Sequence, residues 1–409
     1  MTPDAPAAAP PAAETGRQPG ATRALVLATL ALAVNFWAWN LLGPLAATYR
    51  ELLALSPFQV SLLVAVPALI GALARIPIGA LTDRYGGRVM FTAVTALTIA
   101  PVLFLATTTA YPALLVGGLL LGLGGASFAV GIPFVNAWTP PARRGLALGI
   151  YGAGNVGTAI SGFLSPSIAE GLGRPAAFLV VAAALAAVAV VFFLFGRDAP
   201  GRTPSSGSMT ARFMSAVRLP IARDLALLYA VTFGGFVAFG AYLPTFLVEA
   251  YGLEIGDAAL RAAGFIVLAT IARPIGGALA DRFGGVPVLL ASLVAIGVGA
   301  IVTAFEPEIV TATVGFLTIA AALGAGNGAV FALVGRRSPA GQVGSVTGLV
   351  GAAGGLGGFL PPIIMGLVYQ ATGSYAIGLM LLSDVAFAAA IYTAWRLREV
   401  RLPEAAEAR

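Results

Sequence analysis

Long apolar runs, separated by short polar segments, follow one another along almost the whole chain. A helix needs about 20 predominantly apolar residues to cross a hydrocarbon core about 30 Å thick. In such a run, helix is the form that satisfies its own backbone hydrogen bonds. The runs cover residues 24–46, 58–80, 89–108, 112–136, 145–168, 175–196, 224–249, 260–280, 287–305, 309–334, 343–369 and 374–395. The pattern predicts an all-α membrane protein with twelve transmembrane helices.

The longest polar stretch, residues 197–223, is rich in Gly, Ser, Pro and Arg and has six apolar runs on each side. Such a composition is typical of a linker. We therefore expect two six-helix bundles joined by a cytoplasmic linker, with a polar tail at each terminus. The predicted units are a disordered tail over 1–22, bundles over 23–197 and 224–396, the linker over 198–223 and a second tail over 397–409.

Two segments of the first half recur in the second. Residues 74–87 read ARIPIGALTDRYGG and residues 272–285 read ARPIGGALADRFGG. Arg75, Gly79, Asp83 and Arg84 correspond to Arg273, Gly277, Asp281 and Arg282, each 198 residues later, and Gly145, Gly149 and Gly152 correspond to Gly344, Gly348 and Gly351, each 199 residues later. Both repeats occupy equivalent helices of their half, the second and the fifth. They predict two pseudo-symmetric bundles that rock about a site at their interface.

The distribution of charge adds one prediction, the orientation of the chain in the membrane. The chain is 59% hydrophobic and 10% charged, its net charge is +6, and it has no Lys, His or Cys. With the N-terminus inside, eighteen arginines fall in inner segments and three in outer segments, which places both termini in the cytoplasm. The basic balance is therefore a topology signal, and we expect no nucleic-acid partner. The missing His and Cys leave no cofactor, metal or catalytic constellation to expect.

Two arginines, Arg75 and Arg273, lie inside the apolar runs. Arg75 precedes Asp83, at the membrane edge, by eight residues, which is about 12 Å along a helix. The carboxylates lie at helix ends or in loops except Asp384, for which we expect a structural or shallow role. An arginine keeps its charge when buried and needs a partner. A planar oxyanion held between both guanidinium groups provides one; the alternative is that both brace carbonyls near Pro77 and Pro274.

Glycines dominate the fifth and eleventh predicted helices. We expect Gly149, Gly152, Gly154 and Gly157, and in the other half Gly351, Gly354 and Gly355, to allow close helix packing. Gly152, Gly154 and Gly157 also match a dinucleotide-binding spacing, but they follow no strand, which excludes that interpretation. Packing does not explain Asn155, a polar side chain in the middle of the fifth helix.

The run Gly79-x-Leu81-x-Asp83-Arg84-x-Gly86-Gly87-Arg88 resembles the loop signature of the major facilitator superfamily. In that superfamily the motif lies between the second and third helices on the cytoplasmic side. The resemblance implies a gating role for Gly79, Asp83, Arg84, Gly86 and Arg88 and for Asp281 and Arg282 of the degenerate copy. A solvated turn with a topology role is the alternative.

The combination of the glycine-rich helices, Asn155 and one arginine on each of helices 2 and 8 resembles the nitrate/nitrite porter family. Helix 4 (Gly122-Leu-Gly124-Gly125-Ala-Ser127-Phe128) and helix 10 (Gly324-Ala-Gly326-Asn327-Gly328) extend the likeness. The resemblance implies that Arg75 and Arg273 clamp the anion, that Asn155 and Tyr229 donate hydrogen bonds, and that Phe128 and Phe233 wall the site. Near Gly351 a family hydroxyl position is glycine here.

These observations predict a multi-pass transporter of the cytoplasmic membrane that works as a monomer in the lipid bilayer. It carries nitrate or nitrite by alternating access, and two like charges in an empty site favour nitrate/nitrite exchange. Proton symport and transport of another small anion, such as a monocarboxylate, stay open. A membrane enzyme or a structural membrane protein would leave both arginines unexplained.

Overall fold

The computed structural model describes residues 19–200, 208–339, 341–372 and 374–397, and these residues form helices joined by short loops. The helices are α1 (Ala21–Trp39), α2 (Ala46–Leu53), α3 (Pro57–Tyr85), α4 (Gly87–Thr107), α5 (Tyr111–Ala126), α6 (Phe128–Trp138), α7 (Arg144–Gly152), α8 (Val156–Leu172), α9 (Arg174–Phe195), α10 (Met209–Arg218), α11 (Pro220–Tyr251), α12 (Ile255–Phe283), α13 (Gly285–Ala304), α14 (Ile309–Arg337), α15 (Val343–Thr372) and α16 (Ala376–Arg396). Most of both predicted tails, and residues 201–207 of the predicted linker, lie outside the described residues.

The predicted fold class is confirmed: twelve spans follow one another in two groups of six. Four spans of the first half are single helices (α1, α3, α4 and α9), the pairs α5–α6 and α7–α8 form one span each, and α11 to α16 form the second half. Ten segments of the described chain are long and apolar enough by themselves to cross a membrane.

Two boundaries differ from the sequence prediction. The first span ends at Trp39 rather than near residue 46, and α2 follows after a turn. The turn contains Gly43 and Pro44, and proline removes a helical hydrogen bond while restricting the residue before it. The predicted linker is also more ordered than its composition indicates, because it contains α10 and because α11 begins at Pro220.

Two spans of the first half are interrupted near mid-membrane. Ser127 separates α5 from α6, and a 3₁₀ turn over Ala153–Asn155 separates α7 from α8. Glycines flank both interruptions and favour departures from regular helix. A 3₁₀ stretch within a helix often marks a functional hinge. Each break adjoins or contains a predicted site residue, Phe128 or Asn155.

The glycine-rich helices pack against the arginine-bearing helices of the opposite half. A Cβ atom on Gly79 of α3 would overlap the backbone carbonyl of Gly344 on α15, and one on Gly277 of α12 would overlap the carbonyl of Gly145 on α7. Both approaches are therefore possible only with glycine. The two sequence repeats thus meet crosswise, each arginine helix lying against the glycine helix of the other half.

We call the end of the bundle that holds Gly20, Asp83 and Arg197 the linker side, and the opposite end the far side. Trp138 joins two of these segments, since its indole donates to the Arg197 carbonyl at 3.1 Å and its ring lies beside Gly20. Asp198 caps α4 by accepting from the Gly87 and Arg88 amides at 2.8 and 3.2 Å. Sequence reasoning did not identify this cap.

The two aspartates of the repeat bridge the halves on the linker side. Asp83 accepts from the amides of Gly344 and Ser345 at 2.9 and 3.0 Å and from the Ser345 hydroxyl at 3.0 Å. In the same way, Asp281 accepts from the amides of Gly145 and Leu146 at 3.0 and 2.8 Å. Each carboxylate therefore lies at the N-terminus of a helix of the other half, where negative charge is stabilised. These contacts join the two halves on the linker side.

The other predicted gating residues surround this bridge. Gly86 joins α3 to α4 with φ 91°, a conformation that favours glycine. Arg88 donates to the Phe193 carbonyl at 2.7 Å, and Arg84 and Arg282 lie over the neighbouring rings of Tyr85 and Phe283 at 5.3 and 5.0 Å. Asp281 also pairs with Arg336 at 2.7 Å.

We expect Asp83→Asn to open the linker side more often, because asparagine keeps the size of aspartate but loses its charge at the α15 N-terminus. A cysteine at Thr347, fully buried on α15 between Gly344 and Gly351, reports this opening in a chain that has no native cysteine. Because a charged hydrogen bond is replaced by a weaker neutral one, we expect a water-soluble maleimide to label this cysteine about fivefold faster in Asp83→Asn than in the chain that keeps Asp83.

Asp257→Asn is the matched control, since Asp257 pairs with Arg261 on the far side, within its own helix. Unchanged labelling in Asp83→Asn, or an equal rise in the control, would show that Asp83 does not hold the linker side closed.

Candidate functional site

Arg75 and Arg273 lie at the centre of the bundle, at equivalent positions of the two halves. Each precedes the last residue of its helix, α3 or α12, by ten residues, which is about 15 Å and close to mid-membrane. Arg75 exposes 0% and Arg273 2% of its surface. The two charges predicted for the membrane interior are therefore buried within the protein.

The Arg75 guanidinium bonds to carbonyl groups from both halves. Its Nε donates to the Gly125 carbonyl at 3.1 Å and its Nη1 to the Gly351 carbonyl at 2.7 Å. Gly125 lies on α5, in the same half, and Gly351 lies on α15, across the interface. The group also lies 5.5 Å from the centres of both the Phe128 and Phe233 rings.

Arg273 reaches across the interface in the opposite direction. Its Nη1 donates to the Gly152 carbonyl at 3.3 Å. With the Asn155 amide oxygen turned toward the guanidinium, that oxygen accepts from both terminal nitrogens of Arg273 at 2.8 and 2.9 Å. The 3₁₀ turn at Ala153–Asn155 therefore presents a carbonyl and an amide to the arginine of the other half.

The alternative considered for the arginines, that they brace carbonyls, describes part of this geometry. The carbonyls belong to Gly125, Gly152 and Gly351 on neighbouring helices, not to breaks at Pro77 or Pro274. Bracing does not use every N–H donor of either guanidinium group. Arg75 Nη2 and Arg273 Nε are buried and make no hydrogen bond with any described residue.

The predicted aromatic residues form one stack beside the arginines. The Tyr229 and Phe233 rings lie 5.0 Å apart and nearly parallel, and Phe128 stacks on both at 6.4 Å. Phe233 lies within 5.5 Å of Arg75 and 5.3 Å of Arg273. Its negative π face thus attracts both cations and separates them. The Tyr229 hydroxyl lies beside the Arg273 guanidinium, and its own O–H has no acceptor among the described residues.

The predicted packing glycines fall into two groups. Gly149, Gly152, Gly351 and Gly355 contact the arginine segments, and Gly354 contacts the Tyr229 ring, whereas Gly154 and Gly157 pack on α1 of their own half. Gly351 serves the site through its carbonyl, the acceptor for Arg75 Nη1. Since Gly351 has no side chain, its backbone carbonyl is the acceptor that this position offers to Arg75.

Sequence reasoning missed several residues of this centre. Phe331 contacts Phe128 and Tyr229 edge-on at 5.1 and 4.7 Å. Trp39 and Phe236 lie 5.8 and 5.3 Å from Arg75 and Arg273. The glycine-rich motif of α14, which is the tenth predicted span, ends one turn before Phe331 and was the sequence signal that could have identified this residue. No local pattern identified the other two.

The centre has no counter-ion among the described residues. Asp224 is the one buried carboxylate of the described chain, and it lies on the linker side, where it accepts from the Tyr392 hydroxyl at 2.7 Å. Asp384 is exposed on the outer face of α16 rather than at the site. No group of three or more metal-ligating side chains occurs in the part of the chain searched for one.

The arrangement can therefore bind a small anion with several hydrogen-bond acceptors. The six predicted substrate residues (Arg75, Arg273, Asn155, Tyr229, Phe128 and Phe233) expose at most 2% of their surface, which closes the site to both sides of the membrane. Three buried donors remain for such an anion: Arg75 Nη2, Arg273 Nε and the Tyr229 hydroxyl. A charged hydrogen bond in a dry site is strong enough to replace the carbonyl contacts.

Comparison with known proteins gives a consistent result. The family model described as Major Facilitator Superfamily matches residues 28–269 and 225–409. The chain is 49% identical over 381 residues to the "Probable nitrate/nitrite transporter NarK2" of Mycobacterium tuberculosis, covering 92% of this chain and 96% of that protein. It is 39% identical over 378 residues to the "Nitrite extrusion protein" of Bacillus subtilis, covering 92% and 95%.

Among solved structures, the human organic anion transporter MFSD10 has a similar fold. The TM-score is 0.76 at 16% identity, covering 92% of this chain and 100% of that one. At this identity the likeness concerns the fold alone.

We expect Asn155→Asp to weaken anion binding at this centre. A carboxylate at this position would keep the two contacts to Arg273 and would itself neutralise the charge that attracts the anion. The measurement is the rise in Tm of the purified protein with nitrate or nitrite, which reports ligand affinity. The variant should need an anion concentration at least about tenfold higher, since one paired charge is worth that much or more.

Asn40→Asp is the control. Asn40 follows the far-side end of α1 and donates to the Thr158 carbonyl at 3.2 Å. This variant should respond to the anion as the wild type does. A normal anion response in Asn155→Asp would place the binding site elsewhere.

Proposed function

Because this chain belongs to the major facilitator superfamily and, within it, to the nitrate and nitrite transporters, we propose that it carries nitrate and nitrite across the cytoplasmic membrane. One observation carries the proposal. Two arginines, one from each half, meet at mid-membrane with unsatisfied donors and with no carboxylate beside them in the described core. A small anion that bridges them supplies the missing charge and the missing acceptors.

The size and shape of the site favour nitrate and nitrite over larger anions. The helices around both arginines approach to backbone contact at glycines, as at Gly79 and Gly344. A guanidinium offers paired donors in a plane, which match a flat oxyanion. A monocarboxylate brings an alkyl group that these contacts leave little room for. It is the alternative substrate, and competition by a monocarboxylate in the uptake assay below would favour it.

In the proposed cycle the two halves rock about the bound anion. The eighteen arginines of the inner segments, against three in the outer ones, support the linker side as cytoplasmic. The anion then takes the places of the Gly351 and Gly152 carbonyls as the cross-interface partner of Arg75 and Arg273. Opening to the cytoplasm requires Asp83 and Asp281 to leave the helix N-termini that they cap. One chain supplies both halves, so we propose that it functions as a monomer.

We propose exchange as the mode of coupling. Both arginines are permanent cations, and the described centre contains no carboxylate, while the chain contains no histidine. A proton therefore has no acidic or imidazole side chain to travel on at the site. The loaded carrier has one of its two buried charges neutralised and the repulsion between the arginines reduced, so it should reorient more readily than the unloaded one.

Proton symport is the second candidate, and a specific observation favours it. In this structure both guanidinium groups already bond to carbonyls across the interface, and Phe233 lies between them. These contacts reduce the repulsion of the two cations, so an unloaded carrier could also close and return.

Uptake into proteoliposomes separates the candidates. We expect nitrate uptake when the vesicles contain nitrite, little uptake into empty vesicles, and no dependence on an imposed pH gradient. Arg75→Lys should lose uptake, because the single ammonium of lysine lacks the planar pair of donors that matches a flat oxyanion. Arg50→Lys, in α2 on the far side, should keep uptake. Gradient-driven uptake into empty vesicles would replace exchange by symport, and no flux of either anion would contradict the proposed function.

A further inference from the structure

Asn327 is a fully buried asparagine on α14 whose amide is not used by the fold. It exposes 1% of its surface, and neither its nitrogen nor its oxygen makes a hydrogen bond within the described part of the protein. Leaving a buried amide without partners is strongly unfavourable. The structural role of α14 does not require it, because the glycines on either side make the close helix contacts.

The contacts of its neighbours fix the direction of the Asn327 side chain. Leu323, one turn earlier, lies against Gly235 of α11, and Phe331, one turn later, lies 4.7 Å from Tyr229 of α11. Residues four apart share one face of a helix. Asn327 therefore faces α11 between the levels of Gly235 and Tyr229. Phe233 of the aromatic stack occupies that level.

Arg273 borders the same position from α12. Gly328, the next residue, packs directly on the Arg273 carbonyl, and the Arg273 guanidinium lies 5.3 Å from the rings of Phe233 and Phe236. The contacts of these neighbours place Asn327 next to the backbone of Arg273 and near the aromatic residues that the Arg273 guanidinium contacts. The buried amide is directed into the anion site from a helix to which no role was assigned.

The two halves differ at this point. In the first half, Arg75 Nε is satisfied by the Gly125 carbonyl of α5, the fourth span. In the second half α14 is the corresponding span, and Arg273 Nε has no partner among the described residues. The pseudo-symmetry that pairs the arginines therefore fails at their Nε groups. In the second half, where the backbone provides no acceptor for Arg273 Nε, the corresponding span carries the polar side chain of Asn327.

We propose that Asn327 is an anion ligand that distinguishes nitrate from nitrite, an inference that rests on the proposed function. Its NH₂ group donates to an oxygen of the anion bound at Arg273. With Arg75 Nη2, Arg273 Nε and the Tyr229 hydroxyl, Asn327 makes four donors. Nitrate has three oxygens with which to meet them, and nitrite has two. Asn327 donates to the third oxygen, which nitrite lacks, so losing this donor weakens nitrate binding more than nitrite binding.

The test compares Asn327→Ala and Asn327→Leu with the wild type, by transport in proteoliposomes and by the rise in Tm of the purified protein with each anion. Leucine keeps most of the volume of the side chain and removes both polar atoms. The expected result is a KM for nitrate about tenfold higher, as for one hydrogen bond to a charged group. The KM for nitrite should change less, so that the nitrate-to-nitrite ratio shifts in both variants.

Asn35→Ala is the matched control. Asn35 is equally buried, on α1, but its amide nitrogen is engaged with the Ala31 carbonyl and the Thr95 hydroxyl, both at 2.8 Å. We expect this variant to lose stability without a change in the ratio. An unchanged ratio in both Asn327 variants, or an equal shift in Asn35→Ala, would overturn the role of Asn327 alone. A wild-type protein that moves neither anion would instead overturn the proposed function.

Discussion

The burial of two guanidinium groups without a carboxylate beside them is the constraint on which the rest of the described structure depends. An arginine at the centre of a membrane helix costs about 3 kcal/mol by insertion scales, and it cannot escape by deprotonation. Carbonyls from three glycine positions and a stack of aromatic rings stabilise the pair in part. The donors that remain without partners are the groups that we propose bind the anion.

This constraint also explains why the glycines occur where they do. Each arginine reaches a carbonyl of the opposite half only if the two helices approach to backbone contact, and a Cβ atom at Gly79 or Gly277 would prevent that approach. The same helices end at Asp83 and Asp281, which cap the opposing helices on the linker side. The charge centre and the linker-side closure are therefore built on the same two helix pairs, so a change at one is mechanically connected to the other.

The sequence predicted the spans, the two-fold repeat and the central arginines because these depend on apolar run length and on local identity. It did not predict the end of the first span at Trp39 or the helix within the linker, since the turn at Gly43-Pro44 and α10 are not visible to simple hydropathy. The crosswise pairing of Asp83 with Gly344 was not predictable, because the repeats show equivalence but not which copy touches which. Asn327 was part of a motif and Phe331 followed that motif by one turn, yet their place at the site depends on three helices meeting around them.

A double-mutant cycle measures most directly whether one anion bridges both arginines. Nitrate affinity is determined by calorimetry for the wild type, Arg75→Lys, Arg273→Lys and the double variant. If a single anion is shared, each single change removes most of the binding and the double variant loses little more, so the two effects are far from additive. Additive losses would mean that the arginines act on separate sites, and the account of a shared anion at the centre would be wrong.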